Sequence, residues 1–393
     1  MVEPFIVYEP KEDTYLILEQ VREYAFGDVL DMGTGSGILA IEASRTADNV
    51  IGADISKRAL EVARRNAAGI TNISFVYSDL FSYFKNYPMK FDLIIFNPPY
   101  LPEMKGEEKE VSQAVAGGRH GYELLARFLD DAADFLKPDG RIIILFSSIT
   151  QRNKIHEILE EHAFNYHKLS EKEIPNETLY VYLCEKSDFL NELEGEGITH
   201  VKKLTKGHRG IIYTARYNGK KAVVKQKLPE SKAVARMANE ARWLRVLNKY
   251  DVGPRFIKHD KEWFAYYYVD GVFFPEFMEK SKKSDIKKVI IDVFQQMKVL
   301  DEKKINKEEM HNPYKHIIVK DSKATLIDFE RTHITKKPHN VTQFCQYLTF
   351  KAVYDTLKRK GFRFEKRKLR SLAARYKKKM DEENFKAVVS ALV

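Results

Sequence analysis

Phe91-Asp92-Leu93-Ile94-Ile95-Phe96 is a near-continuous apolar run that stops at the polar, doubly prolyl tetrapeptide Asn97-Pro98-Pro99-Tyr100. A run of this length, bounded by proline, predicts a strand buried on both faces. Comparable segments are Val29-Leu30, Asn49-Val50-Ile51-Gly52-Ala53-Asp54, Ser74-Phe75-Val76-Tyr77, Arg141–Phe146 and Leu179–Leu183. Helical spacings such as Leu16, Leu18 and Val21, or the stretch 128–136 before Lys137-Pro138-Asp139-Gly140, separate them. This alternation predicts an α/β domain over residues 1–185, built on a mostly parallel sheet that 179–183 closes.

Residues 186–195, polar and Gly-containing, read as a linker. Beyond them the rhythm changes. Apolar positions from Gly210 to Tyr217, an Asn218-Gly219 turn and a second strand ending at Lys225 predict an antiparallel hairpin. A helix carrying Glu240, Ala241, Leu244 and Leu247 follows, and a later strand, Ala324-Thr325-Leu326-Ile327, ends at Asp328. An α+β domain is therefore expected over residues 196–350, with a basic helical extension over 351–393.

The 393 residues are enough for two domains with cores of their own. No apolar stretch approaches the roughly 18 residues of a membrane span, and Met1-Val2-Glu3-Pro4 lacks the basic start of a signal peptide. A cytoplasmic protein without membrane contact is expected. Cys184 and Cys345 stand far apart with no Cys or His at ligand spacing, so buried thiols are expected rather than a disulfide or a zinc site. Charge divides the chain: residues 1–190 hold 20 Lys+Arg against 31 Asp+Glu, and residues 191–393 hold 46 against 25. A basic half beside an acidic one suits mutual docking, or a nucleic-acid or ribonucleoprotein partner; charge alone does not choose.

Candidate chemistry gathers at the strand ends. Two prolines make 97–100 a rigid loop whose Asn amide and Pro carbonyl can grip an NH2 group, with Tyr100 to pack on the planar group that bears it. The plainer alternative is a Pro-rich turn. In Asp31-Met32-Gly33-Thr34-Gly35-Ser36-Gly37, the glycines let a ligand approach the backbone closely. A carboxylate two residues before the first glycine suits the ammonium or ribose of S-adenosylmethionine and would repel a pyrophosphate. Asp54, 23 positions later, is placed to accept ribose hydroxyls or merely to cap the helix near Ser56. Asp79 and Leu80 are placed at the adenine edge. In an open α/β sheet, Asp31, Asp54, Asp79 and Asn97 would then line one crevice.

On these residues, with Glu9-Pro10-Lys11-Glu12-Asp13-Thr14 and Ala116-Gly117-Gly118-Arg119-His120-Gly121-Tyr122-Glu123, the stretch 1–185 resembles class I S-adenosylmethionine-dependent methyltransferases of the PrmC/HemK type. The resemblance implies a Rossmann-like α/β fold with a seven-stranded, mostly parallel sheet, and the family methylates the glutamine of the Gly-Gly-Gln loop in translation release factors. The resemblance implies Asn97, Pro98 and Tyr100 as the catalytic constellation. It also implies Asp31, Gly33, Thr34, Gly35, Gly37, Asp54, Ile55, Asp79, Leu80 and Asn97 around the methyl donor. With no helical substrate-binding domain expected ahead of Val7, the chain is similar to the short archaeal and eukaryotic type, which implies a small zinc-containing activator subunit.

Lys225, fifteen residues before Glu240, is spaced like the strand lysine and helix glutamate that position ATP phosphates in kinases. Tyr266–Gly271 would be the hinge and Asp328 a magnesium ligand. Residues 196–350 thus resemble small RIO-like and lipopolysaccharide-kinase-like protein kinases, which implies ATP and Mg, with Gly207 and Gly210 in the phosphate loop. Departures are plain. Aligning H-x-D-x-x-x-x-N on residues 309–316 sets His311 where the base Asp belongs and His316 where the metal-binding Asn belongs, and Glu330 replaces the last Gly of D-F-G. Nucleotide binding is expected to survive better than transfer, and a docking module without chemistry stays open. Residues 351–379 carry 13 Lys+Arg against Asp355 and Glu365, either a solvated helix face or a contact for RNA or the ribosome. The leading expectation is N5-methylation of a release-factor glutamine. The alternatives are N6-adenine or N2-guanine methylation of nucleic acid delivered by the basic half, and a bifunctional methyltransferase and kinase.

Overall fold

The computed structural model describes residues 9–103, 117–207, 210–228 and 234–392. Val7, Ala116, His208 and Arg209 of the segments above lie outside the described residues. Residues up to Leu204, with Thr214–Gly219, group into one compact unit; Thr205–Tyr213 and the residues from Lys220 onward group into a second.

The first unit alternates strictly. In order come α1 (Glu12–Tyr24), β1 (Asp28–Met32), α2 (Ile38–Ala43), β2 (Asn49–Asp54), α3 (Lys57–Asn66), β3 (Ile73–Tyr77), α4 (Ser82–Asn86) and β4 (Phe91–Phe96). After them come α5 (Glu123–Ala132), β5 (Leu136–Ser147), α6 (Arg152–Glu161), β6 (Phe164–Ile174) and β7 (Glu177–Lys186). The sheet order is β3-β2-β1-β4-β5-β7-β6. β1 to β5 are parallel, and β7 runs antiparallel to β5 and β6. Strand order reverses between β1 and β4, which is where an open α/β sheet leaves a crevice beyond its carboxyl ends. The pleat sends Leu93 and Ile95 of β4 into one core with Ile17, Val21, Ile143 and Leu145, and Ile94 and Phe96 into another with Leu125, Phe128, Ile142 and Ile144. Both faces are covered, so β4 reads as an unbroken apolar run.

Other segments differ from expectation. Leu179–Leu183 lies in β7, which is internal; the edge is β6, whose exposed polar positions concealed it from a search for apolar runs. The helix expected over 128–136 is α5 followed by a 3-10 turn at Ala133–Phe135, and Lys137-Pro138-Asp139-Gly140 falls within β5. There the pairing skips from Phe91↔Leu136 to Leu93↔Arg141, a bulge that lets Lys137 Nζ reach Asp28 at 2.8 Å and Asp92 at 2.6 Å. The segment 186–195, expected as a linker, is largely α7 (Asp188–Gly195), with Ser187 accepting from the Leu190 N–H as N-cap and Leu190 and Leu193 buried. Buried Lys186 donates to the Leu136 carbonyl at 3.0 Å and to Glu194. Two apolar residues three apart anchor a short helix yet are too few to register as a period.

The two units divide at β8 (Ile198–Lys206) and β9 (Gly210–Tyr217). In the second unit follow β10 (Lys220–Lys227), α8 (Val234–Leu247), β11 (Phe256–His259) and β12 (Trp263–Tyr267), and β12 pairs antiparallel with both β10 and β11. A long helix, Lys283–Glu302, contributes Val289, Ile290, Val293, Phe294 and Met297 to a core shared with Phe344, Leu348, Leu369 and Tyr376. The basic segment 351–379 is two helices, Lys351–Arg359 and Lys366–Lys378, parted at Gly361. Leu357, Leu369, Ala373 and Tyr376 belong to that same core, and Arg367, Lys368 and Lys377 are exposed. Cys184 and Cys345 are buried and unbridged. No helix among the described residues is long and apolar enough to cross a membrane.

Candidate active site

β1 runs into a turn in which Gly33, Gly35 and Gly37 all have positive φ, +68°, +54° and +84°. A Cβ on Gly33 or Gly35 would meet nothing nearer than 3.7 Å, so it is their positive φ and not crowding that favours glycine there. A Cβ on Gly37 would lie 3.0 Å from that of Ala63, so this glycine lets the start of α2 close on α3. Beneath the turn, Asp31 Oδ2 accepts from Thr34 Oγ1 at 2.6 Å and the Ala40 N–H at 3.1 Å, while the buried Oδ1 has no hydrogen-bond partner. Asp54 bridges two backbones, Oδ2 accepting from the Gly35 N–H at 2.9 Å and Oδ1 from the Ser56 N–H at 2.8 Å. The side-chain cap of α3 is Ser56, which accepts from the Ala59 N–H at 3.2 Å. Asp54 therefore does not serve as that cap.

Burial pushes Asp31 up to about 7 against the hydrogen bonds from Thr34 and Ala40, and the charge of Asp54 adds to the rise. Burial raises Asp54 as well, against the bonds from Ser56 and Gly35. Among the described residues no Lys, Arg or His forms an ion pair with either carboxylate. Asp79 is exposed and held by Arg127 at 3.1 Å, Ile55 is exposed, and half-buried Leu80 takes a left-handed φ of +47°.

Beyond β4, Asn97 Nδ2 donates to Asp13 Oδ2 of α1 at 3.1 Å, and Asn97 Oδ1 is buried with no hydrogen-bond partner. With its amine end on a carboxylate, the amide presents its carbonyl end as a free acceptor. Asp13, only 4% exposed, lies in the Glu9–Thr14 segment and is a site residue that the sequence pattern does not single out. The two residues are 84 positions apart, so no local pattern announces their contact. The glycine-rich loop braces the next residues. Gly117 N–H donates to the Leu101 carbonyl at 2.9 Å and Glu103 N–H to the Gly118 carbonyl at 3.1 Å. A Cβ on Gly117 would lie 2.4 Å from the Pro99 carbonyl oxygen, and one on Gly121 2.3 Å from that of Tyr100, so the loop lies against this backbone only as glycine.

A family model for the methyltransferase small domain matches residues 9–174. A protein of Methanocaldococcus jannaschii, provisionally named protein N5-glutamine methyltransferase, is 37% identical over 179 residues, which cover 44% of this chain and 89% of that one. The chain belongs to this methyltransferase family. The release factor glutamine methyltransferase of Bacillus cereus is 29% identical over 175 residues, 40% of this chain and 61% of that enzyme. Among solved structures, the E. cuniculi Mtq2–Trm112 complex, responsible for methylation of the eRF1 termination factor, is 28% identical with a TM-score of 0.37, over 46% of this chain and 98% of that one. This methyltransferase thus has homologues of the protein-glutamine N5 type. S-adenosylmethionine, the methyl donor, fits the residues present. It would bring ammonium, sulfonium and ribose hydroxyls, which suit two buried carboxylates that face no cation among the described residues and the unpartnered Asp31 Oδ1.

The second unit gathers other residues singled out in the sequence. Lys225 Nζ lies 2.7 and 2.9 Å from the two carboxylate oxygens of Glu240 on α8. Asp328, at a left-handed φ of +63°, accepts from buried Lys307 through its carbonyl, and His316 Nδ1 lies 3.7 Å from its carboxylate. Burial pushes Asp328 up, but Lys225 and Lys307 outweigh it and hold the carboxyl below its ordinary value. Burial, with Lys307 beside it, drops His316 to about 4. Gly207 N–H donates to the Gly210 carbonyl at 2.9 Å, closing the turn between β8 and β9. His311 is exposed, and its Nδ1 is 3.1 Å from the Glu308 carbonyl. Lys307 and Glu309, 3.8 Å apart, stand nearer the cluster, and Arg331 lies 3.6 Å from Glu309. Neither Lys307 nor Glu309 occupies a position of the H-x-D-x-x-x-x-N pattern that identifies a charged group.

Proposed function

We propose that this methyltransferase acts on the side-chain amide nitrogen of a glutamine in a translation release factor, in the cytoplasm. The observation that carries the reading is the Asn97 amide, fixed by Asp13 so that its buried Oδ1 is unpartnered. When bound, S-adenosylmethionine supplies an electrophilic methyl group. The chain does the rest by position: Asn97 Oδ1 and the Pro98 carbonyl accept from the substrate NH2, and Tyr100 packs on the amide plane. An amide nitrogen is a poor nucleophile, so holding it in line and stabilising the positive charge it develops are the main aids. Once the methyl group is transferred, the positively charged amide nitrogen is strongly acidic and releases its surplus proton to solvent, so no strong base is required. Asp31, Asp54 and the Gly33–Gly37 turn hold the donor, with Asp79, Leu80 and Ile55 at its adenine side. Similarity to the short family type suggests a small zinc-containing activator subunit as well, which co-purification tests. The deciding experiment incubates the full chain with isotopically labelled S-adenosylmethionine and a release factor or RNA, then locates the label by mass spectrometry. Label on RNA and not on glutamine overturns the reading in favour of nucleic-acid methylation.

For the second unit we propose a kinase-like ATP site, because Lys225, Glu240 and Asp328 come together as phosphate and metal handling require. Asp328 supplies one oxygen for Mg; His316 offers nitrogen, a poor magnesium ligand, so binding should exceed phosphoryl transfer. Magnesium-dependent thermal stabilisation by ATP, lost in Asp328→Ala, tests this, and no stabilisation leaves a docking module.

A further inference from the structure

Strand ends of the second unit meet around a cavity of about 630 Å³. Lys220 and Lys221 at the start of β10, Arg255 and Phe256 at the entry to β11, and Tyr267 and Tyr268 at the end of β12 line it, with Asp270 at the rim. The scaffold is set by backbone bonds: Tyr268 N–H donates to the Lys221 carbonyl at 3.0 Å and Tyr267 N–H to the Arg255 carbonyl at 2.8 Å. Lys220 and Lys221 stand over the two tyrosines, each with Nζ 5.9 Å from a ring centroid, on Tyr267 and Tyr268 respectively. Lys220, Lys221 and Arg255 are exposed, and Tyr268 is 42% exposed. Asp270 is paired with Lys320 at 2.7 Å, so the cavity keeps the charge of its three cations.

Cations interleaved with exposed aromatic rings are how proteins hold a single strand, with phosphates on the cations and bases stacked on the rings. A duplex keeps its bases inside and offers phosphates alone, whereas an acidic peptide offers carboxylates and no large planar faces. The excess of 46 Lys+Arg over 25 Asp+Glu in residues 191–393 adds long-range attraction for a polyanion. We propose that this cavity is a binding site for single-stranded nucleic acid, sharing no residue with the methyl-transfer crevice or the Lys225 cluster. It is also distinct from the helices of 351–379, where the sequence had suggested such contact.

Fluorescence anisotropy of the full chain with labelled oligouridine tests it, with a duplex RNA and polyglutamate as competitors. Oligouridine should bind better than the duplex, and polyglutamate should compete poorly at equal charge. Lys220→Ala/Lys221→Ala/Arg255→Ala should weaken binding tenfold or more and flatten the slope of log affinity against log salt by about 2, at roughly 0.7 per phosphate contact. Tyr268→Ala should weaken binding roughly tenfold with the slope unchanged, because stacking carries no charge. These side chains are exposed, and circular dichroism checks that the variants fold. Equal loss in a control triple variant, Arg367→Ala/Lys368→Ala/Lys377→Ala, would overturn the proposal in favour of diffuse charge. So would duplex binding as tight as single-strand binding, equal competition by polyglutamate, or an unaffected Tyr268→Ala.

Discussion

In the crevice of the first unit, Asp31 and Asp54 are desolvated and, among the described residues, face no cation; in the second unit Glu240, Glu309 and Asp328 each face Lys225, Lys307 or Arg331. Burial raises Asp31, Asp54, Glu240 and Glu309 alike, and of these carboxylates Asp328 alone falls, because Lys225 and Lys307 outweigh its burial. A buried carboxylate that faces no cation is disfavoured in its charged form even when it accepts hydrogen bonds, and a positive group beside it would restore the charge. A cluster whose carboxylates already face cations is compensated before any ligand arrives.

The largest expected effect breaks the first site at its acceptor end. Asn97→Ala should lower methyl transfer about a thousandfold, the scale for losing positioning and charge stabilisation in one residue. Donor affinity by isothermal titration should stay within threefold, since Asn97 meets the acceptor. Turnover at the wild-type rate would remove Asn97 from the chemistry.

Next, Lys225→Met should destabilise the second unit by about 3 kcal/mol, because it leaves the Glu240 carboxylate buried and uncompensated. Chemical denaturation followed by tryptophan fluorescence reads this unit directly, since both tryptophans, Trp243 and Trp263, lie within it. Asp31→Asn, by contrast, should not destabilise the ligand-free protein near pH 8. If both substitutions destabilise alike, the contrast between a vacant and a compensated site fails.

What was legible in the sequence follows from range. Strand β4, the Gly33–Gly37 turn and Asp54 announce themselves within a dozen residues through apolar runs, glycine spacing and strand ends. The Lys225–Glu240 pair is equally local, one strand and one helix apart. What stayed hidden depends on distant partners or on weak periods. Asp13 meets Asn97 across 84 positions, Lys137 leaves the β5 ladder to reach Asp28 and Asp92, and α7 buries just Leu190 and Leu193.

A smaller effect sharpens the role of the hidden partner. Asp13→Ala should reduce kcat about ten- to a hundredfold, the range for losing one buried hydrogen bond that orients a reacting group, with donor Kd unchanged. Asp13→Asn should recover part of the rate, because its carbonyl end can still accept from Asn97 Nδ2. If Asp13→Ala alters only stability, measured by thermal melting, and leaves kcat intact, Asp13 supports α1 and does not position Asn97.

The smallest effect is a titration. Asp31 rises from its ordinary value of 3.8 to about 7 in the fold, so between roughly pH 4 and 7 the folded protein holds a proton that the unfolded chain has released. Stability of the ligand-free protein should therefore fall as pH rises through that window and level off above it. Asp31→Asn should remove this part of the slope, and the difference between the two proteins separates Asp31 from the histidines that titrate in the same range. Binding of a positively charged donor beside Asp31 favours the carboxylate, so binding at pH 6.5 should release a fraction of a proton. Isothermal titration in two buffers of different ionisation enthalpy measures that fraction, and donor affinity should rise with pH up to about 7. Identical stability slopes for wild type and Asp31→Asn, with no proton released on binding, would mean that Asp31 is already ionised in the empty crevice. The electrostatic vacancy that separates the first site from the second would then be absent.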